Sequence, residues 1–297
     1  MSSRLTDEDF DLLADRIRSG NCTPFLGAGA VSTIPTGSVL AERWADEYGL
    51  PGSPTHDLAQ VAQAMSVRRK DMMFAKDEMI KQIRGAAPPN FTSDQEPHGV
   101  LARLPLPVYL TTNYDDFLTR SLVAEGKKPH RHVCCWNSIL RRDPQVLKLP
   151  RGFEPSERQP LVFHLHGHAG LRTSMVLTED DYLDFLVAMT DRTLTKNDRN
   201  ALLPPAVESA LMGTSLAFIG YKLSDWDFRV LFRSLPGSLE KSLEQLHVAV
   251  QLEPDDVSER DYFDAYYERM GIKVYWGNAT EFAAALFGRY KERYGHV

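Results

Sequence analysis

The chain has 297 residues, of which 43% are hydrophobic and 25% are charged, and these proportions indicate a globular domain at the upper size range of one α/β unit. Its net charge of −6 argues against a broad basic surface, so we expect no direct binding of nucleic acid. The acidic amino terminus lacks an apolar signal-peptide core and no run of about 18 apolar residues occurs, which excludes a spanning helix and predicts a cytoplasmic protein.

The first predicted helix starts in the acidic run that follows Thr6. Thr6 can cap this helix, and the acidic side chains suit its positive end. Phe10, Leu13 and Ile17 fall on one face, which indicates the side that packs against the core. Gly20 is the predicted stop.

Six short apolar runs come next, and each one ends in small or polar residues. The runs are 23–26, 107–111, 161–166, 215–219, 246–251 and 272–276. Most of them precede a helix-like stretch, and this alternation is typical of a doubly wound, mostly parallel sheet. We therefore predict a Rossmann-like α/β fold.

Two segments interrupt this alternation. Residues 50–100 contain no convincing strand and read as amphipathic helices followed by a loop, PPNFTSDQEP. Residues 178–212 also read as helical, with Thr178 and Asp181 in capping positions. We interpret both segments as helical insertions into a single domain that spans residues 1–297.

A glycine-rich turn, Gly27, Ala28 and Gly29, follows the first predicted strand. Such a turn lets backbone N–H groups approach a phosphate without obstruction by side chains. The dinucleotide fingerprint GxGxxG is incomplete because Ser32 holds the position of its third glycine, so a plain strand-to-helix turn stays open as an alternative. Ser38 is predicted to cap the next helix.

Polar residues in the segment TTNYDD end the second predicted strand. Asn113 and Asp115 lie at its carboxyl end, which is where ligands bind in open α/β sheets. Asp115 or Asp116 can instead cap the helix that contains Phe117. One cap is enough for a helix, so capping leaves Asn113 unexplained and marks it as a candidate site residue.

Three histidines, His164, His166 and His168, alternate in the segment LVFHLHGHAG. Alternate residues of an extended strand point to one face, so all three could meet a single ligand. Gly167 stands where the HxHxDH pattern of some metallohydrolases has its acid, and we expect no metal. We predict that His164 is a core residue and that His166 lies in the same layer of strand ends as Asn113.

The order of these motifs resembles the sirtuin family, and more closely the sirtuin-like domains of prokaryotic antiphage-defence effectors. The matching segments are GAG, TTNYDD, HLHG and AFIGYKLSDWD, and IKVYWGNATEF resembles the family's last strand and its following turn. The resemblance runs from about residue 20 to the carboxyl end.

The resemblance implies a pocket that binds NAD and breaks the bond between nicotinamide and ribose. By similarity, Asn113 orients the nicotinamide ribose and a water, and His166 is the base that accepts a proton. We predict that His168 lies at the pocket rim. The implied NAD-binding residues are Gly27, Ala28, Gly29, Thr112, Asp115, Gly167, Gly220, Asp225, Gly277 and Asn278.

Individual roles in this set also follow by similarity. The turn at Gly27 would hold the pyrophosphate, and Asp115 would contact the carboxamide. Gly220, together with the turn at Gly277 and Asn278, would line the adenosine side.

The sequence departs from the sirtuin pattern at two places, and the first of them decides the expected reaction. The three cysteines, Cys22, Cys134 and Cys135, form no CxxC pair, so the zinc ribbon of deacetylating sirtuins is missing. Ser32 lies one position later than the family's serine. The loss of the zinc module favours plain hydrolysis of NAD over deacylation of a peptide.

The chemistry agrees with a site of this composition. The leaving nicotinamide is already cationic, so its departure needs no general acid, and one base can activate a water or hydroxyl. An amide side chain can orient the reactants without adding charge. We predict an NAD glycohydrolase that releases nicotinamide and ADP-ribose as an NAD-depleting effector of antiphage defence.

Activation and three rival functions complete the expectations. The chain leaves no room for a sensor domain, so we expect activation through a homo-oligomer or a separate sensor protein. A zinc-free protein deacylase would use the same Asn113 and His166. A module could instead bind NAD or ADP-ribose without turnover, and a metal-dependent hydrolase could use the three histidines.

Overall fold

Seven parallel strands form one sheet in this computed structural model, which describes residues 4–50, 57–143, 149–150, 152–190, 202–221 and 245–295. The strands are β1 (Cys22–Leu26), β2 (Val108–Thr111), β3 (His130–Val133), β4 (Leu161–His164), β5 (Ser215–Ile219), β6 (His247–Gln251) and β7 (Ile272–Trp276). Their spatial order is β3-β4-β2-β1-β5-β6-β7, and every pair is parallel. The predicted Rossmann-like α/β class is confirmed.

Two strands differ from the sequence-based prediction. β4 ends at His164 and not at His166, because the chain turns at Gly167, whose φ is +86°. β3 is missing from the predicted strands because its sequence, HRHV, is polar and lies half-exposed at the sheet edge. A buried apolar run is the signal that identifies an inner strand, and this edge strand does not carry it.

Helices cover both faces of the sheet in the described residues. They are α1 (Asp7–Arg18), α2 (Gly37–Glu47), α3 (Leu58–Arg69), α4 (Phe74–Gly85), α5 (Pro97–Arg103), α6 (Phe117–Ala124), α7 (Ser138–Arg142), α8 (Glu179–Thr190), α9 (Pro205–Gly213), α10 (Val257–Arg269) and α11 (Ala279–Tyr294). One core holds residues of α1, α5, α6 and α11, and the core on the other face holds residues of α7, α8, α9 and α10. Burial on both faces explains why the inner strands read as continuous apolar runs.

A third apolar cluster joins α2, α3 and α4 to the segment that follows β4. Trp44, Met65 and Met79 pack there with Met175 and Leu177. The helices α3 and α4 lie inside the predicted insertion of residues 50–100, and α8 and α9 lie inside the insertion of residues 178–212. The α2–α4 cluster is therefore attached to the chain segment that leads away from the histidine motif.

The helix starts show how local sequence sets these elements. Thr6 and Asp9 form a reciprocal capping box at α1, and Thr178 and Asp181 do the same before α8, as predicted. The prediction for Ser38 is wrong, because Thr36 is the N-cap of α2 and Ser38 lies in its first turn. None of the described helices is long and apolar enough to cross a membrane.

Candidate functional site

The candidate site lies where the central strands end. β1 sits between β2 and β5, and the chain continues from β1 toward one side of the sheet and from β5 toward the other. A reversal of this kind marks the place, at the carboxyl ends of the strands, where open α/β sheets bind their ligands. The GAG turn, the NYD segment and the HG segment follow β1, β2 and β4 at this edge.

The turn after β1 is bonded to the end of β5. The Gly27 amide donates to the carbonyl oxygen of Ile219, and the Gly29 amide donates to that of Gly220, both over 2.9 Å. Among the described residues, the amide of exposed Ala28 has no such acceptor. The turn therefore offers one free N–H group at its outer side, and the two glycine amides hold it in place.

Close packing explains why glycine occupies these positions. A Cβ on Gly220, whose φ is +80°, would lie 2.1 Å from the Ala30 nitrogen. A Cβ on Gly27 would lie 2.7 Å from the Gly220 carbonyl oxygen. The backbones of the two strand ends thus touch directly, which requires residues without side chains. This requirement exists with or without a bound phosphate.

Asn113 is held in place by the ends of three strands. Its side-chain Nδ2 donates to the Gly27 carbonyl oxygen over 3.1 Å, and its backbone N–H donates to Thr111 Oγ1 over 3.0 Å. Nδ1 of His164 lies 3.0 Å from the Asn113 carbonyl oxygen. Because the carbonyl of Gly27 only accepts, Nδ2 must face it, and Oδ1 is left as an acceptor with no donor among the described residues.

Tyr221, directly after Gly220, is a site residue that the sequence analysis did not single out. Its hydroxyl lies 2.8 Å from Thr112 Oγ1 and donates to the Leu26 carbonyl oxygen over 3.1 Å. Its ring packs edge-on against Phe25. The only sequence signal is an aromatic residue directly after a glycine at a strand end.

Asp115 is buried and serves as a cap. Its Oδ1 accepts a hydrogen bond from the Phe117 amide over 2.9 Å, whereas Asp116, the N-cap by position, makes no side-chain cap bond. Burial raises the pKa of Asp115, and nearby His98 acts in the opposite direction. The capping alternative therefore accounts for Asp115 but not for Asn113.

His166 lies in an aromatic pocket. Its ring stands edge-on to Tyr182 and Phe185, with centroids 5.4 Å and 5.1 Å away, and its ring nitrogens have no hydrogen-bond partner among the described residues. The side chain is 8% exposed, and burial lowers the pKa of His166 to about 3. The imidazole is therefore neutral near pH 7, and burial disfavours its protonated form.

Residues 174–176 hold the backbone around His166 in place. The Val176 amide donates to the His166 carbonyl oxygen over 2.9 Å, and the Tyr114 hydroxyl donates to the carbonyl oxygen of Val176 over 2.5 Å. A Cβ on Gly167 would lie 2.1 Å from the Ser174 carbonyl oxygen. The NYD and HG segments are thus joined through residues 174–176.

The three histidines do not share one face, so the shared ligand that their alternation left open does not form. His164 and His168 stand edge-on with centroids 4.9 Å apart, whereas His166 faces Tyr182 and Phe185. The strand alternation ends at His164, and Gly167 redirects the chain. No three His, Cys, Asp or Glu side chains within the described ranges come together as a metal-binding group, so the metal-dependent alternative has no observation in its favour.

His168 is also not at a rim, and this prediction is corrected. It is 7% exposed, its Nδ1 accepts from the Gly170 amide over 2.8 Å, and its Nε2 lies 3.1 Å from an Arg131 guanidinium nitrogen. Burial and then Arg131 lower the pKa of His168 to about 4. His164 is 1% exposed, as predicted for a core residue.

The remaining predicted residues lie apart from this cluster. Gly277 and Asn278 follow β7, two strands beyond β5. The Gly277 amide donates to the Gln251 carbonyl oxygen, and Asn278 caps α11 through a capping box with Glu281. Asp225 lies outside the described residues.

A groove of about 550 Å³ lies near the amino ends of β3 and β4. Its lining residues come from 125–128 and 157–159, which precede β3 and β4. None of the predicted site residues lines this groove, so it is separate from the strand-end cluster.

The chain matches a family profile described as a SIR2-like domain over residues 107–275. It is similar to a protein named NAD(+) hydrolase ThsA from Cytobacillus dafuensis, with 26% identity over 72% of this chain and 38% of the relative. A protein of the same name from Enterococcus faecium is 24% identical over 84% of this chain and 48% of the relative. Another from Bacillus cereus (strain MSX-D12) is 23% identical over 86% of this chain and 50% of the relative. The chain spans about half or less of the length of these relatives.

Proposed function

The chain belongs to the SIR2-like domain family, and on that premise we propose that it is an NAD glycohydrolase, which releases nicotinamide and ADP-ribose from NAD. One observation carries the proposal. The side-chain amide of Asn113 is fixed on the GAG turn through Gly27, at the edge of the sheet where the HG segment follows β4. The similar proteins that are named NAD(+) hydrolases support the choice of substrate.

Asn113 acts in this proposal through the oxygen of its side chain. With Nδ2 bound to Gly27, Oδ1 can accept a hydrogen bond from a ribose hydroxyl or from the attacking water. A fixed amide orients the two reactants without the entropy cost of ordering a mobile side chain. The residue also adds no charge near a substrate whose leaving group is cationic.

His166 is the proposed base. Burial keeps the imidazole neutral and leaves a nitrogen lone pair for the proton of the water or hydroxyl, and this role requires that bound NAD raise the pKa of His166 from about 3 toward neutrality. The nicotinamide leaves as a neutral molecule, so the reaction needs no general acid. Burial of His166 also limits competing proton transfer with solvent.

The remaining contacts to NAD follow the strand ends. The free Ala28 amide is the proposed donor to the pyrophosphate, beside Gly27 and Gly29. Thr112, Gly167 and Gly220 complete the wall of this pocket, and Asp115 approaches the carboxamide. Gly277, Asn278 and Asp225 would lie toward the adenosine.

We also propose the biological setting of this activity. The chain would act as a single domain in the cytoplasm, deplete NAD in antiphage defence, and be activated by self-assembly or by a separate sensor protein. The relatives named ThsA support the link to NAD hydrolysis. Mass measurement in solution, with and without NAD, tests the expected homo-oligomer.

The experiment that tests the function is nicotinamide release from NAD by the purified chain, without any peptide. We expect release, and we expect Asn113→Ala and His166→Ala each to lower it by about 100-fold or more. NAD binding is titrated in the same samples, so loss of turnover is separated from loss of binding.

Matched controls come from residues remote from the strand ends. Asn21→Ala changes an exposed asparagine before β1, and His130→Ala changes the first residue of edge strand β3. Both variants should keep wild-type release. Release that needs an acylated peptide would favour the deacylase, and NAD binding without release would favour the binding module.

A further inference from the structure

His164 makes a contact that burial alone does not require. It is the last residue of β4, and its Nδ1 lies 3.0 Å from the backbone carbonyl oxygen of Asn113. A carbonyl oxygen only accepts, so Nδ1 carries the ring proton and donates it to this bond. The other nitrogen, Nε2, is buried and has no partner among the described residues.

The surroundings of His164 keep this arrangement neutral. Burial, followed by the nearby His168 ring, lowers the pKa of His164 to about 3, and Arg131 behind His168 acts in the same direction. The bond to Asn113 and the charge of Asp116 act in the opposite direction. A neutral imidazole with one proton has a single defined donor, and here that donor faces Asn113.

This bond differs from the other two that hold Asn113. Thr111 is the last residue of β2, two positions before Asn113, and Gly27 belongs to the turn after β1. His164 belongs to the strand that leads directly into His166. The bond from His164 therefore connects the segment that carries Asn113, the proposed orienting amide, to the segment that carries His166, the proposed base.

We propose that His164 is a positioning residue that sets Asn113 relative to His166 in the active site. The proposal rests on the NAD hydrolase function proposed above, and it assigns His164 no contact with the substrate. It predicts that the donor at the Nδ1 position matters for turnover, beyond the volume that the ring fills.

Two substitutions separate the effect of the Nδ1 hydrogen-bond donor of His164 from the effect of the volume that its ring fills. His164→Asn keeps an N–H group near the Nδ1 position but leaves a cavity, whereas His164→Leu fills the space and has no donor. We expect His164→Leu to lower kcat for nicotinamide release by about 10- to 100-fold with little change in KM, as loss of an orienting partner does. His164→Asn should stay within about 5-fold of wild type, on the order of the loss left when the orienting bond is kept.

Thermal unfolding of the same variants distinguishes positioning from plain packing. The cavity should make His164→Asn no more stable than His164→Leu, so activity and stability should rank in opposite orders. If activity instead followed the melting temperature, His164 would be only a packing residue and the proposal would be overturned. If His164→Leu failed to fold, His164→Gln, which lacks a donor at the Nδ1 position, replaces it.

A measurement without turnover keeps this proposal separate from the proposed function. Selective ¹⁵N labelling of asparagine lets the side-chain amide of Asn113 be observed by NMR and assigned through Asn113→Ala. We expect this signal to shift or broaden in His164→Leu and to return in His164→Asn. An unchanged signal in His164→Leu would overturn the positioning role, whereas absence of nicotinamide release from the wild type would contradict only the hydrolase.

Discussion

The side-chain amide of Asn113 donates to the carbonyl oxygen of Gly27 across 3.1 Å, although the two residues are 86 positions apart in the chain. This bond joins the turn after β1 to the segment after β2. Gly27 is itself held by Ile219 at the end of β5, so the three central strand ends form one connected unit. The orientation of the Asn113 amide therefore depends on how the turn at Gly27 packs against Ile219 and Gly220.

Gly220→Ala tests this dependence. At φ +80° a side chain is strained, and its Cβ would lie 2.1 Å from the Ala30 nitrogen, where only backbone could move away. We expect a loss of about 3 kcal/mol or more in the free energy of unfolding, together with loss of NAD binding. Urea unfolding and NAD titration measure the two effects.

Gly288→Ala is the control for that variant. Gly288 lies inside α11, where a Cβ would meet no atom within 4 Å. Alanine is favoured over glycine in a helix interior by about 1 kcal/mol, so this variant should be slightly more stable than wild type. Equal stability of Gly220→Ala and Gly288→Ala would refute the close packing of β1 and β5 ends.

The buried ion pair between Lys76 and Asp181 gives a second prediction. Lys76 Nζ lies 2.8 Å from Asp181 Oδ1, and Asp181 Oδ2 also accepts from the amides of Leu177 and Thr178. Asp181→Ala leaves a buried ammonium and two unpaired amides, so we expect a loss of about 3–5 kcal/mol in the free energy of unfolding. Lys76→Met keeps the hydrogen bonds from both backbone amides to Asp181, so its loss of unfolding free energy should be about 1–2 kcal/mol smaller than that of Asp181→Ala.

Chemical denaturation of both variants checks this order. The ion pair anchors α4 to the start of α8, close to residues 174–176, which hold the backbone around His166. If Lys76→Met were the more harmful change, the backbone amides would not be the main partners of Asp181.

Stability should fall in mild acid because buried histidines resist protonation. Burial lowers the pKa of His247 to about 4, and its Nδ1 accepts a hydrogen bond from the Leu216 amide over 3.1 Å. The unfolded chain binds this proton near pH 6.5 and the folded chain only near pH 4, so stability is complete above pH 6.5 and is lost as the pH falls. Burial lowers the pKa of His132, His164, His166 and His168 in the same way.

His247→Asn isolates one of these groups, since its amide oxygen can accept the same bond and does not titrate. Between pH 7 and pH 5 the variant should lose about 2 kcal/mol less free energy of unfolding than wild type. Urea midpoints at several pH values give this difference. Identical pH profiles would mean that His247 is accessible to protons in the folded chain.

Local patterns predicted the elements of the fold, and they failed where distant residues decide the conformation. Apolar runs located six of the seven strands, and Thr6 and Thr178 marked helix starts correctly. The turn at Gly167 depends on Ser174 packing against it, so the end of β4 could not be read from HLHG alone. β3 is an exposed edge and gives no apolar signal.

The candidate site shows the same limit. Residue type and strand-end position were enough to single out Asn113, Gly27 and His166. The bond between Thr112 and Tyr221 joins residues 109 positions apart, and periodicity contains no information about such a pair. The aromatic surroundings of His166 come from α8, which follows it in the chain by more than ten residues.

The most direct test of the account is a crystal structure of the His166→Ala variant with NAD bound. The account predicts the nicotinamide ribose within hydrogen-bond distance of Asn113 Oδ1 and the pyrophosphate beside the Ala28 amide. NAD bound in the groove lined by residues 125–128 and 157–159, or anywhere away from the carboxyl ends of β1, β2 and β4, would contradict it.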